Sequence, residues 1–165
     1  MKLLAIVFLW CFNGSSPGVG TGVAATEPVK WPQTRGVCEL KERLVGKNCG
    51  RPFHERRYFY NQTINKCVLF IPLTCGETDE GNNFSTRKDC MKLCMRGSPC
   101  LKTNIKNRNG TVTKYTYYPK LDMCISWKYK AGAKLWPERN IFETPEKCRE
   151  ECAPELPIGP QYPGK

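Results

Sequence analysis

The sequence predicts a small disulfide-rich α+β fold of two tandem modules, each a β-hairpin with a C-terminal helix. Three observations carry this. First, ten of the eleven cysteines form two related sets: Cys38, Cys49, Cys67, Cys75, Cys90 and Cys94, then Cys100, Cys124, Cys148 and Cys152. The second set reads like the first with its second and fourth members deleted, and both end in Cys-x-x-x-Cys. Second, the surroundings repeat. Asn82 and Phe84 precede Cys90 as Asn140 and Phe142 precede Cys148, and Tyr60 stands before Cys67 as Tyr117 stands before Cys124. Third, residues 38–94 and 100–152 are each near the size at which a single core is marginal and covalent staples become necessary.

The elements follow in chain order. Lys2, an apolar run over residues 3–12, a Gly/Ser-rich stretch and Val23-Ala24-Ala25 have the layout of a secretory signal peptide over residues 1–25. About ten apolar residues are too few for a hydrocarbon core that needs about 20. A short lead (26–37) comes next. Residues 56–62 (RRYFYNQ) and 66–73 (KCVLFIPL) read as strands, with turn chemistry between them at 61–65. Ser85 is the expected N-cap of a helix that places Cys90 and Cys94 on one face. Residues 95–99 form a linker short enough to couple the modules but long enough for hinging. In the second module strands are expected over 113–118 and 124–130, and a helix from its cap Thr144 and first-turn Pro145 through Cys152. The Pro-rich tail (153–165), with a basic end at Lys165, repeats proline at 154, 157, 160 and 163. That spacing fits an extended polyproline II segment, as a partner-binding arm or a solvated end.

Composition excludes several functions. Removal of residues 1–25 takes Cys11 with it and leaves an even cysteine count in an exported chain, which argues for disulfides rather than metal. The chain has one histidine, His54, and no Cys-x-x-Cys pair, so neither a metal site, a bound cofactor nor an enzyme is expected. A bridge closing the first module would remove denatured-state entropy worth about 4 kcal/mol. The cysteines are therefore structural, and function belongs to the loops they hold.

Arg57-Tyr58-Phe59-Tyr60-Asn61 ahead of Cys67, Phe70 after it, and Asn82-Asn83-Phe84 before Asp89-Cys90-Met91-Lys92-Leu93-Cys94 resemble the Kunitz (pancreatic trypsin inhibitor-like) family. The second module resembles it in degenerate form, through Tyr115-Thr116-Tyr117, Trp127 and Asn140-Ile141-Phe142. The resemblance implies the pairs Cys38–Cys94, Cys49–Cys75, Cys67–Cys90, Cys100–Cys152 and Cys124–Cys148. It also implies a protease-binding loop at Asn48, Cys49, Gly50, Arg51 and Pro52. Gly50, at the position that enters a protease pocket, offers neither length nor charge. Leu73-Thr74 stands in place of two glycines and Pro72 in place of an aromatic, changes expected to remove the loop's support.

The second module lacks the two cysteines that would clamp its loop. Residues 102–114 and 129–139 are therefore expected to move on the microsecond-to-millisecond timescale, with Asn109 or Gly110 at the pocket position. Asn61, Asn83 and Asn109 begin N-glycosylation sequons. The second module with Arg96 carries twelve Lys/Arg against six Asp/Glu, net +6. Its candidate exosite residues are Lys102, Arg108, Lys114, Lys128, Tyr129, Lys130, Lys134, Trp136 and Arg139. In a secreted protein this pattern points away from nucleic acid and towards a heparin-like polysaccharide, an anionic membrane or an acidic protein face. The same pattern also suits a solvated basic surface over core aromatics. The two-module layout resembles the salivary tissue factor pathway inhibitors of blood-feeding ticks. That resemblance implies a monomeric anticoagulant that uses coagulation factor X or Xa as a scaffold and blocks factor VIIa–tissue factor. A Kunitz ligand of an ion channel or receptor, or a glycosaminoglycan-binding module, is the alternative.

Overall fold

The computed structural model describes residues 36–49, 55–78, 80–103 and 109–157. The segment expected to be a signal peptide (1–25), nearly all of the lead and the end of the tail lie outside the described residues. All five disulfides implied by the resemblance are present, with Cα–Cα separations of 5.2–6.1 Å.

The first unit begins with a 3-10 turn at Val37–Glu39 and a short strand β1 (Val45–Gly46). Strands β2 (Arg57–Asn61) and β3 (Lys66–Phe70) form an antiparallel hairpin in which Tyr60 faces Cys67. The hairpin is shorter at both ends than the aromatic run suggested. Strand β4 (Thr74–Cys75) pairs in parallel with β1, and helix α1 spans Arg87–Cys94. Its N-cap is Thr86, not Ser85. The oxygen of Thr86 accepts from the Asp89 amide at 3.1 Å and its hydroxyl donates to the Asp89 carboxylate at 2.6 Å. The acid that completes this reciprocal cap lies three residues after Thr86, and Lys88 occupies that position relative to Ser85.

After the 3-10 turn at Pro99–Leu101, β5 (Val112–Tyr118) and β6 (Met123–Tyr129) form the second hairpin, with Tyr117 facing Cys124. Helix α2 (Pro145–Cys152) follows, capped by Thr144 with proline at its start. The two units repeat each other's hydrogen bonds. Asn82 accepts from the Tyr60 amide at 2.7 Å and donates to the Tyr60 and Leu40 carbonyls. Asn140 does the same for Tyr117 at 2.9 Å, donating to the Tyr117 and Lys102 carbonyls. Tyr58 exchanges two backbone bonds with Phe84, and Tyr115 does so with Phe142. Each buried asparagine amide thus satisfies backbone groups that the hairpin alone leaves open.

The two units pack against each other across the expected linker. One buried cluster runs through both, from Cys38, Tyr58 and Met91 to Tyr117, Phe142 and Cys152. At its edge the β5–β6 turn residue Asp122 takes four donors. Its Oδ1 accepts from Arg87 Nε and from the Tyr117 hydroxyl, each at 2.7 Å. Its Oδ2 accepts from the Tyr58 hydroxyl at 2.8 Å and from Arg56 at 3.5 Å. Arg87 is 1% exposed. Its Nη1 donates to the carbonyls of Cys67 and Pro154, both at 2.6 Å, and its guanidinium carbon lies 5.1 Å from the centre of the Tyr58 ring. Its Nη2 has no hydrogen-bond partner among the described residues. The aromatic face and the carboxylate together offset that loss.

The chain after α2 does not leave as a solvated end. Leu69 donates to the Pro154 carbonyl at 3.0 Å, and Leu156 donates back to the Leu69 carbonyl at 2.8 Å. Residues 154–156 therefore add a parallel strand to the first hairpin, and Leu156 covers Phe59, Val68 and Phe70.

Asp122→Ala strands a buried cation, so it is expected to lower the unfolding free energy by about 3–5 kcal/mol, read from the denaturant midpoint. Burial first, then the Asp122 carboxylate, push the Tyr58 hydroxyl up to about 12 from its ordinary 10.0, and Tyr117 is raised for the same reasons. Folding holds this proton more tightly than the unfolded chain does. Its stabilisation is therefore whole below about pH 10 and is lost as pH rises towards about 12. Tyr58→Phe should flatten that alkaline loss in a pH series of thermal midpoints.

Candidate protease-binding loop and basic surface

The loop's base is built from β1, β4 and the start of β2. Asn48 and Cys49 are described, whereas Gly50, Arg51 and Pro52 lie outside the described residues. The Cys49–Cys75 bridge and the parallel β1–β4 pair hold one side, and Gly76 donates to the Gly46 carbonyl at 3.1 Å. The other side is held by Glu55. Its Oε2 accepts from the Asn48 amide at 2.8 Å, and its Oε1 meets Arg57 Nη1 at 3.2 Å. A carboxylate thus ties Asn48 to Arg57 across the base of the loop.

Arg57 carries the tie inward. Its Nε donates to Asn83 Oδ1 at 2.7 Å and its Nη2 to the Thr78 carbonyl at 3.2 Å. Asn83 Nδ2 donates in turn to the carbonyls of Arg43 (2.6 Å) and Val45 (2.8 Å). Gly46 is required here, because a Cβ would lie 2.6 Å from Pro72 Cγ and 2.7 Å from Glu55 Oε2. The expected loss of support from Pro72 and Leu73-Thr74 therefore does not occur: Pro72 packs over Gly46, and Thr74 pairs with Val45. Sequence reasoning missed Glu55 and Arg57 as supports. The one available signal was a charged pair at alternate positions leading into an apolar strand.

Asn83 is corrected as a glycan site. It is 7% exposed and its amide nitrogen is committed to two backbone carbonyls, which leaves no room for a sugar. Asn109 is exposed. Asn61 is half-buried, and its Oδ1 accepts from the amides of Thr63 and Ile64 at the hairpin turn.

In the second unit the clamp has been replaced by direct packing. Gly110 lies against the backbone of Lys128 and Tyr129, where a Cβ would collide with main-chain atoms. The pocket position at Gly110 is therefore turned onto β6 rather than presented outward.

The predicted basic-aromatic surface is split. Tyr129 is 3% exposed, and Trp136 is half-buried and stacked on Phe142 with centroids 5.4 Å apart, so both are interior residues. Lys114 is paired with Glu143 and Lys134 with Glu138. Strand register sets Lys114 beside Trp127 and Lys128 beside Thr113, on opposite faces of the hairpin. Lys102, Lys128, Lys130 and Arg139 are exposed and have no ionic partner among the described residues. Arg108 lies outside the described residues. Among those described, no helix is long and apolar enough to cross a membrane, and no group of three His, Cys, Asp or Glu could hold a metal.

Residues 37–95 match the Kunitz/Bovine pancreatic trypsin inhibitor domain. Haemaphysalin of Haemaphysalis longicornis is 28% identical over 156 residues, covering 90% of this chain and 87% of that protein. Tissue factor pathway inhibitor of Rattus norvegicus is 30% identical over 115 residues, covering 59% of this chain and 36% of that protein. The solved structure of ixolaris, studied for its interaction with factor X, is 21% identical with a TM-score of 0.27. That match covers 64% of this chain and 88% of ixolaris.

Glu55→Ala should free the arms of the loop. Limited proteolysis is expected to cut residues 50–54 at least several-fold faster, with Glu55→Gln intermediate because its amide oxygen still accepts from Asn48.

Proposed function

We propose that the protein is a secreted serine protease inhibitor of blood coagulation. It is exported by residues 1–25 and carries glycans at Asn61 and Asn109. Residues 38–94 present the loop of Asn48, Cys49, Gly50, Arg51 and Pro52 to factor VIIa–tissue factor. Residues 100–152, a degenerate second Kunitz domain, bind factor X or Xa through an exosite formed by Lys102, Lys128, Lys130 and Arg139. The observation that carries this reading is the pairing of a loop braced at its base in one unit with an unclamped, cationic second unit packed against it. The first suits a protease, and the second suits a scaffold. The name of the rat relative supports the tissue factor pathway as the setting.

A loop bound in a protease cleft needs pre-organisation more than buried area. The Glu55 tie and the Cys49–Cys75 bridge supply it at the loop's base. The absence of a long side chain at Gly50 shifts the affinity to neighbouring contacts and to the scaffold. That is why the two surfaces must act together.

The test is inhibition of factor VIIa–tissue factor by the chain from residue 26, with and without active-site-blocked factor Xa. Inhibition that requires the scaffold is expected. Equal inhibition without it would assign all binding to the first unit, and no inhibition in either condition would overturn the proposal. The exposed lysines also favour heparin-like polysaccharide as a ligand. In that case binding should fall steeply between low and physiological salt, whereas a contact with an apolar centre should persist.

A further inference from the structure

We infer that the outer edge of β6 at Ser126 is a docking site for an extended acidic segment of a partner protein, bound by strand addition. Tyr60–Cys67 and Tyr117–Cys124 are matching cross-strand pairs, so Leu69 in β3 corresponds to Ser126 in β6. The partner of Leu69 across its hairpin is Tyr58, whose backbone groups turn away to Phe84. Leu69 therefore turns its own N–H and C=O outward, and residues 154–156 take both. The partner of Ser126 is Tyr115, whose backbone groups turn away to Phe142 at 2.9 and 2.8 Å. By the same alternation Ser126 points its N–H and C=O away from β5. No described residue receives them, and Ser126 is exposed.

Side chains repeat as well. Leu156 packs on Phe59, Val68 and Phe70. The register makes Thr116, Ile125 and Trp127 the corresponding surface, and Ile125 and Trp127 are only half-buried. An edge of this kind needs a device against indiscriminate pairing. Here the flank carries Lys128 and Lys130, both exposed, within a unit of net charge +6, which repels basic strands and admits acidic ones. The segment already seated on the first hairpin has the fitting form: an accepting carbonyl at Pro154, an acid at Glu155 and an aliphatic residue at Leu156. The occupant of the second edge is a strand of that chemistry supplied from outside. This concerns the backbone edge of the second unit and holds whether or not factor X is the partner.

The test uses the full disulfide-bonded chain, nitrogen-labelled, and the peptide acetyl-Ala-Pro-Glu-Leu-Pro-amide copied from residues 153–157. Titration should give a saturable shift of the Ser126 amide together with the Trp127 indole. Methylating the leucine nitrogen of the peptide removes the donor to the Ser126 carbonyl and should weaken binding roughly tenfold, the loss expected for one hydrogen bond. Replacing its glutamate by lysine should weaken binding at low salt, with the difference fading as salt rises. Ser126→Pro should keep the spectrum of the rest of the protein, because the lost N–H faces outward at an edge, and should abolish the response. No saturable shift at Ser126, shifts confined to the surroundings of Leu69, or unchanged binding by Ser126→Pro would each overturn the inference.

Discussion

The arrangement of this protein depends on one carboxylate. Asp122 sits in a tight turn with φ of 51° and gathers Arg56, Tyr58, Arg87 and Tyr117. Its counterpart in the first hairpin is Asn65, also left-handed with φ of 54°, and it accepts from the hydroxyl of Tyr60 at 3.2 Å. The position has the same task in both units: a side-chain oxygen that accepts from the tyrosine hydroxyl of its own hairpin. In the second unit the charge of Asp122 lets the same oxygen atoms also hold a buried arginine from the first. An amide there would still accept, but would leave the Arg87 cation without a counter-charge.

Around that contact the two units have diverged in what they brace. The first keeps its upper disulfide and adds Glu55, Arg57 and Asn83 as a polar strut from the loop's base to the strands. The second drops the disulfide and closes the gap by laying Gly110 directly on β6. One solution resists distortion under a load applied at the loop. The other fills space with backbone laid on backbone.

Much of this was legible in the sequence. The repeated cysteines with their Tyr, Asn and Phe companions marked two hairpin-and-helix units, and resemblance to a known framework supplied the pairing. Helix α2 and its cap appeared where Thr144 and Pro145 placed them. What stayed hidden were long-range encounters. Asp122 looks like a turn residue and nothing in its neighbours names Arg87, thirty-five positions away. The tail's proline spacing suggested an extended segment, yet could not say that Leu69 would lie beside residues 154–156. Tyr129 and Trp136 lie among lysines in sequence, and only the fold decides that their rings turn inward while the lysines stay in water.

The docking of the two units turns the molecule into a caliper. A chain with a loose joint can adapt its second contact to many partners, but it loses orientational freedom each time that contact forms. Here the joint is already closed by Asp122 and by the strand returning to Leu69. If both proposed surfaces engage one target, the local concentration of the second, once the first is bound, is set by geometry rather than by linker statistics. A target whose two sites match the span gains the full benefit, and one whose sites are spaced differently gains none. Distance itself becomes a determinant of specificity.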